Sequence, residues 1–187
     1  MTTASPQRPG SWMTTRSGMR FYPLDPRPGD FCIEDIAHAL ALENRYNGHT
    51  PEPYSVAQHS VLVASRVAGL TGGDRRAELW GLLHDASEAY IKDLPRPVKR
   101  LMPEYQAVEK RVMAAICDRF GLPHAMPAST HQADNELLVT EALAFYGPDV
   151  LAAWGLPYQP LRMAVAPLTW DVAERLFLAR FKRLTEA

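Results

Sequence analysis

The largely apolar run Ala77-Glu78-Leu79-Trp80-Gly81-Leu82-Leu83 passes into His84-Asp85-Ala86-Ser87-Glu88 with no turn residue between them. Such a stretch reads as a buried helix, expected from about Arg75 to Tyr90, that ends in an imidazole and two carboxylates. Residues three and four apart share a helical face, so Glu88 stands beside both His84 and Asp85. Burying that much charge without a partner costs several kcal/mol, roughly, and a divalent metal ion is one remedy. Mixed nitrogen and oxygen donors suit Mn, Fe, Co, Ni or Zn. Taken alone, however, an adjacent His-Asp pair is more often a surface pair or a capped helix end. The remaining ligands have to decide.

Composition narrows the setting. The 187 residues suffice for one domain with a real core. A hydrophobic share of 47%, a charged share of 22% and a formal net charge of −1 describe an ordinary globular chain with no general attraction to nucleic acid or anionic membrane. Cys32 and Cys117 form no CxxC pattern, which argues against a disulfide framework or a zinc ribbon. No run is long enough for a membrane span, and the N-terminus lacks the apolar core of a signal peptide. A cytoplasmic protein is expected.

Punctuation along the chain predicts an all-α domain of about five to seven helices over 18–187, preceded by a loose Ser/Thr/Pro/Arg/Gly-rich tail over 1–17. Asp30 is placed to cap a first helix running to about Asn44. Ser55-Val56-Ala57-Gln58 has the form of a capping box and opens a second helix to about Val67. Lys92-Asp93-Leu94-Pro95-Arg96-Pro97 cannot continue the helix that reaches Tyr90, because each proline disfavours helix in the residue before it. Pro103 starts a helix that Gly121 ends, with Val112, Ala115 and Ile116 inward. Another runs from Ser129 to about Phe145, and Thr169 caps the last, whose apolar stripe includes Val172, Leu176, Leu178 and Phe181. Trp154 and Trp170 read as core or subunit-interface residues, and His38 as structural.

Partners for His84 and Asp85 should be polar groups that interrupt apolar helix faces. His59, before Val61-Leu62-Val63, and Asp134, before Leu137-Leu138, do so. Each alone reads as a hydrogen-bonded core histidine or a helix-dipole carboxylate.

Together with its flanking motifs this order of residues resembles the HD-domain metal-dependent phosphohydrolases. Tyr54-Ser55-Val56-Ala57-Gln58-His59-Ser60, His84-Asp85-Ala86-Ser87-Glu88-Ala89-Tyr90, Asp93-Leu94-Pro95-Arg96-Pro97-Val98-Lys99 and Gln132-Ala133-Asp134 are similar to motifs of its 5'-deoxynucleotidase branch. The chain also resembles YfdR-like prophage proteins and YfbR deoxynucleotidases and, less closely, phage dATP triphosphohydrolases.

The resemblance implies that His59, His84, Asp85 and Asp134 bind one divalent ion, with Mg a further candidate beside a triphosphate substrate. It implies that Glu88 and Asp93 are the catalytic carboxylates, dividing base and acid roles. Arg45 and Tyr46 stand where the deoxynucleotidases have Arg-Trp, so Arg45 is expected on the nucleotide and Tyr46 near the sugar. His49 and Lys99 are candidate phosphate contacts. The implied reaction is hydrolysis of a (deoxy)nucleoside 5'-monophosphate to nucleoside and phosphate. A dNTP triphosphohydrolase is the alternative, for which Arg96 and Arg100 offer charge. A (p)ppGpp hydrolase and a non-catalytic nucleotide-binding module are more distant readings. A homo-oligomer is expected from the family likeness and the apolar C-terminal region.

Overall fold

Helices joined by turns and irregular segments make up the chain in a computed structural model that describes residues 8–186. They are α1 (Ile33–Leu42), α2 (Val56–Thr71), α3 (Arg75–Leu83), α4 (Glu88–Ile91), α5 (Arg96–Lys99), α6 (Pro103–Phe120), α7 (Ala128–Tyr146), α8 (Pro148–Trp154) and α9 (Trp170–Thr185). The strands among the described residues are the two-residue β1 (Met13–Thr14) and β2 (Arg20–Phe21), antiparallel with Met13 opposite Phe21. The expected all-α bundle is what forms.

One apolar core runs from Phe21 near the start to Leu184 near the end, through Ile36, Leu40, Trp80, Leu82, Leu83, Ile116 and Phe177. Phe21, Phe31 and Tyr90 form an aromatic knot within it, with ring centroids 4.6 to 5.7 Å apart. α2 lies at the centre, against α3, α7 and α9. A smaller cluster of Val63, Val67, Ala133 and Leu137 seals α2 to α7, which brings the His59 and Asp134 helices together.

Gly81 sets how closely α2 and α3 cross. A Cβ there would stand 3.0 Å from Val67 Cγ2 and 3.3 Å from Ala64 Cα, and a backbone atom cannot give way. Gly81→Ala therefore reverses the usual helix preference for alanine. We expect a loss of about 1–3 kcal/mol from overpacking, read as an earlier urea midpoint. An unchanged or later midpoint would show that the crossing has slack.

Several local expectations are corrected. Of the tail over 1–17, residues 1–7 lie outside the described residues, but from Arg8 the chain is bound to the domain. Arg8 pairs with Asp25 at 3.0 Å and Asp30 at 2.6 Å, and the Ser17 amide and hydroxyl donate to the buried Asp35 carboxylate at 2.8 and 2.7 Å. Asp30 is thus taken by Arg8 and by the Arg27 amide, and α1 starts later, with Cys32 as its cap residue.

Ser55 does cap α2, its hydroxyl accepting from the Gln58 amide at 3.2 Å. The Gln58 side chain does not close the box. It reaches the C-terminal segment instead, donating to Ala166 O at 2.8 Å and accepting from the Leu168 amide at 2.9 Å. In α9 the inward face is Ala173, Phe177 and Leu184, and Leu176 is exposed. Trp154 and Trp170 are 40% and 50% exposed, so neither fills the core.

The helix expected over Arg75 to Tyr90 is interrupted. Bonds from Ala86 N to Leu83 O and from Glu88 N to Asp85 O span three residues, so the chain tightens over 84–87 before α4 resumes. No proline or glycine signals this. In so tight a turn residues i and i+3 eclipse, which sets Glu88 over Asp85.

Candidate metal centre

Two histidines from different helices present the same nitrogen to one point, because each has its other nitrogen tied to a group that can only accept. His84 Nδ1 donates to Gly81 O at 2.8 Å, and His59 Nδ1 donates to Glu141 Oε1 at 2.6 Å. A carbonyl and an ionised carboxylate carry no proton to give, so both imidazoles keep Nε2 for the site. His59 Nε2 lies 3.1 Å from Asp134 Oδ1, and His84 Nε2 lies 3.8 Å from the same oxygen. Donor atoms of His59, His84 and Asp134 all fall within 4.8 Å of one another, a group that could hold a metal ion.

The donors fit such an ion. His84 Nε2 is fully buried without a hydrogen-bond partner, although Asp85 Oδ2 lies 3.1 Å away. Proximity without hydrogen-bond alignment is what two ligands directed at a common third atom produce. Asp85 is the neighbour of that three-residue group: the same Oδ2 lies 4.0 Å from His59 Nε2 and 3.7 Å from Arg45 Nη1.

Charges in this cleft lean on each other. Burial opposes a proton on His84, but Asp85 and then Asp134 outweigh it and push its pKa up to about 9. Asp134 is held well below the usual carboxylate range despite its burial, by the His59 bond and the His84 charge. Glu88 is displaced the other way: burial, then the charges of Asp85 and Asp93, raise it well above an ordinary glutamate. A carboxyl that holds its proton more tightly than the carboxylates around it can divide acid and base work with them.

Of the expected substrate contacts, Arg45 is directed into the cleft, its Nε donating to Glu141 Oε2 at 3.0 Å. Tyr46 is not free to meet a ligand with its hydroxyl, which donates to Glu141 Oε2 at 3.0 Å while the ring packs on Tyr146 and Trp154. Lys99 is also committed, bridging Asp93 at 2.8 Å and Glu109 at 2.6 Å. A cation already shared by two carboxylates is a poor phosphate receptor, so Lys99 acts here by holding Asp93. His49 is exposed on its turn and brings no side chain into this group.

Asp93 follows Lys92, whose backbone (φ 57, ψ 169) lies in a region other residues than glycine rarely occupy. Such strain costs of order 1–3 kcal/mol and persists where surrounding contacts over-determine it. Sequence reading gave no role to Glu141 or Glu109. Glu141 follows Asp134 by two helical turns on the same face of α7, and a charge among Leu137, Val139 and Ala142 was the available signal.

No protein-family model matches the chain. YfdR, an uncharacterized protein of Escherichia coli K12, is 36% identical over 180 residues, spanning 94% of this chain and 97% of that protein. The chain belongs to the YfdR family. An uncharacterized protein of Rhodobacter capsulatus is 43% identical over 127 residues, 66% of this chain and 65% of the relative. Among the described residues no helix is long and apolar enough to cross a membrane.

Proposed function

We propose that this YfdR-family chain is an HD-type phosphohydrolase that uses one divalent metal to hydrolyse nucleoside 5'-monophosphates, deoxynucleotides first, to nucleoside and phosphate. The observation that carries the reading is the convergence of His59 Nε2, His84 Nε2 and Asp134 on one point beside a carboxyl with a raised pKa, Glu88. His59, His84 and Asp134 would hold the ion, with Asp85 completing the set. A bound divalent ion supplies Lewis-acid activation of water and neutralises charge on the phosphoryl group.

The chain's own groups do the rest. Arg45 Nη1, 3.7 Å from Asp85, faces the place where an anionic phosphate would arrive. Glu88 orients the attacking water and handles its proton. Asp93, steadied by Lys99 at 2.8 Å, is the second carboxylate and shares the base and acid work with Glu88. The buried imidazoles shed water from one side of the site, while the side chain of Asp134 remains 33% exposed on the other.

A triphosphate substrate is the second reading. It is favoured by Arg96 and Arg100, which flank α5 just past Asp93, are exposed, and pair with nothing among the described residues. Incubation with Mn and, separately, dAMP, AMP and dATP, followed by ion-exchange separation of products, decides. Nucleoside and orthophosphate from dAMP with dATP intact is the expected result. Deoxyadenosine plus unbroken triphosphate from dATP would replace it with the second reading. No turnover in any lane with metal bound would make the protein a binding module.

A further inference from the structure

Glu141 is fully buried, and every acceptor site of its carboxylate is used. Oε1 accepts from His59 Nδ1 at 2.6 Å and from the Tyr54 hydroxyl at 2.8 Å. Oε2 accepts from Arg45 Nε and from the Tyr46 hydroxyl, both at 3.0 Å. Four donors reach it from different side chains, which is the surrounding an anion needs. Its donors lie on separate pieces of chain, α2 with its lead-in and the turn at Arg45–Gly48.

That turn is unusual in its own right. Tyr46, Asn47 and Gly48 follow one another with φ of 56, 52 and 73°, all left-handed. For side chains other than glycine this costs roughly 1–2 kcal/mol per residue, so the conformation needs an external hold. Two of the Glu141 bonds provide one, at the residues that bracket the first left-handed step.

We propose that Glu141 is a positioning residue that locks the Arg45–Gly48 turn to the metal-facing histidine, so that one carboxylate sets both the His59 tautomer and the place of the Arg45 guanidinium. The inference rests on the metal-dependent reading above and adds a residue to it. Glu141 touches neither ion nor substrate and acts through His59 and Arg45. A carboxylate is required because an amide of the same shape has one acceptor and one donor end. Whichever way it turns, a donor meets a donor: at Arg45 and Tyr46, or at His59, where Nδ1 would have to become an acceptor and Nε2 would gain the proton.

Glu141→Gln is the test, with two readouts. Mn binding, followed by the electron paramagnetic resonance of free Mn, should weaken by about 10–100-fold, as for other groups that orient a ligand from behind. Trypsin cleavage after Arg45, followed by mass spectrometry on the folded protein, should become faster as the turn loosens. A purely structural role would lower thermal stability yet leave the Mn affinity measured well below the midpoint untouched.

The proposal is overturned if Mn affinity stays within roughly twofold of wild type, or if cleavage after Arg45 is no faster. Tyr46→Phe removes one donor on the turn side without touching His59. It should speed the cleavage and leave Mn affinity alone, and it keeps the question open to measurement should Glu141→Gln fail to fold; unchanged cleavage there overturns the lock. If wild type binds no Mn, the metal reading falls by itself, while the cleavage experiment still tests the hold on the turn.

Discussion

Glu88→Gln is expected to retain the metal of the wild-type protein and to lose about 10²–10⁴-fold in kcat, the usual range for removing a positioned acid or base. The reason lies in where Glu88 stands. The tight turn over 84–87 eclipses it with Asp85, and burial together with Asp85 and Asp93 raises its pKa well above normal. Glu88 therefore holds a proton more tightly than an ordinary glutamate, whereas Asp134 is held low by its histidine neighbours. Glutamine keeps the size and a polar side chain but has no carboxyl proton to give or take. Metal content by atomic emission and turnover of the best nucleotide should therefore separate. Loss of metal in Glu88→Gln would move the residue into the ligand set and cancel the assignment.

The second large effect belongs to His84. Its Nε2 is buried and unpartnered, so the imidazole lacks a full set of bonds until something fills the site. A ligand that binds only the folded state stabilises it by about 2.7 kcal/mol at a concentration one hundred times its Kd. For a chain of this size roughly 2–4 °C accompanies each kcal/mol, so wild type should melt about 5–10 °C higher in that much Mn. His84→Ala removes the donor and leaves Asp85 and Asp134 facing each other with less compensating charge. Its melting temperature should not respond to Mn. A shift equal to that of wild type would show that the ion binds elsewhere.

The chemistry-bearing residues were more legible than the way they are held. His59 and Asp134 interrupt apolar helix faces, and His84 closes an apolar run; their donor atoms do meet within 4.8 Å. Helix ends marked by a residue whose effect is local were also readable. Ser55 caps α2, Pro103 opens α6, and Gly121, with φ 68°, closes it.

What escaped were residues with two possible partners. Gln58 has the sequence of a capping box, yet its amide bonds two backbone groups of the distant 166–168 segment instead. Lys99 reads as a phosphate contact, but the fold delivers two carboxylates to it first. Tyr46 reads as a ligand-facing aromatic, but Glu141 takes its hydroxyl.

From its sequence alone this protein is an all-helical chain with a candidate metal-binding set on three predicted helices, because periodicity, caps and interrupted apolar faces are properties of neighbouring residues. Only the tertiary structure decided that the Arg45 guanidinium comes within 3.7 Å of Asp85. It likewise decided that the HD segment tightens without a breaker residue, and that Glu141 binds four donors at once. The physical reason is common to all three. A buried charge must find its compensation among whatever groups packing brings within about 4 Å, and those come from parts of the chain far apart in sequence.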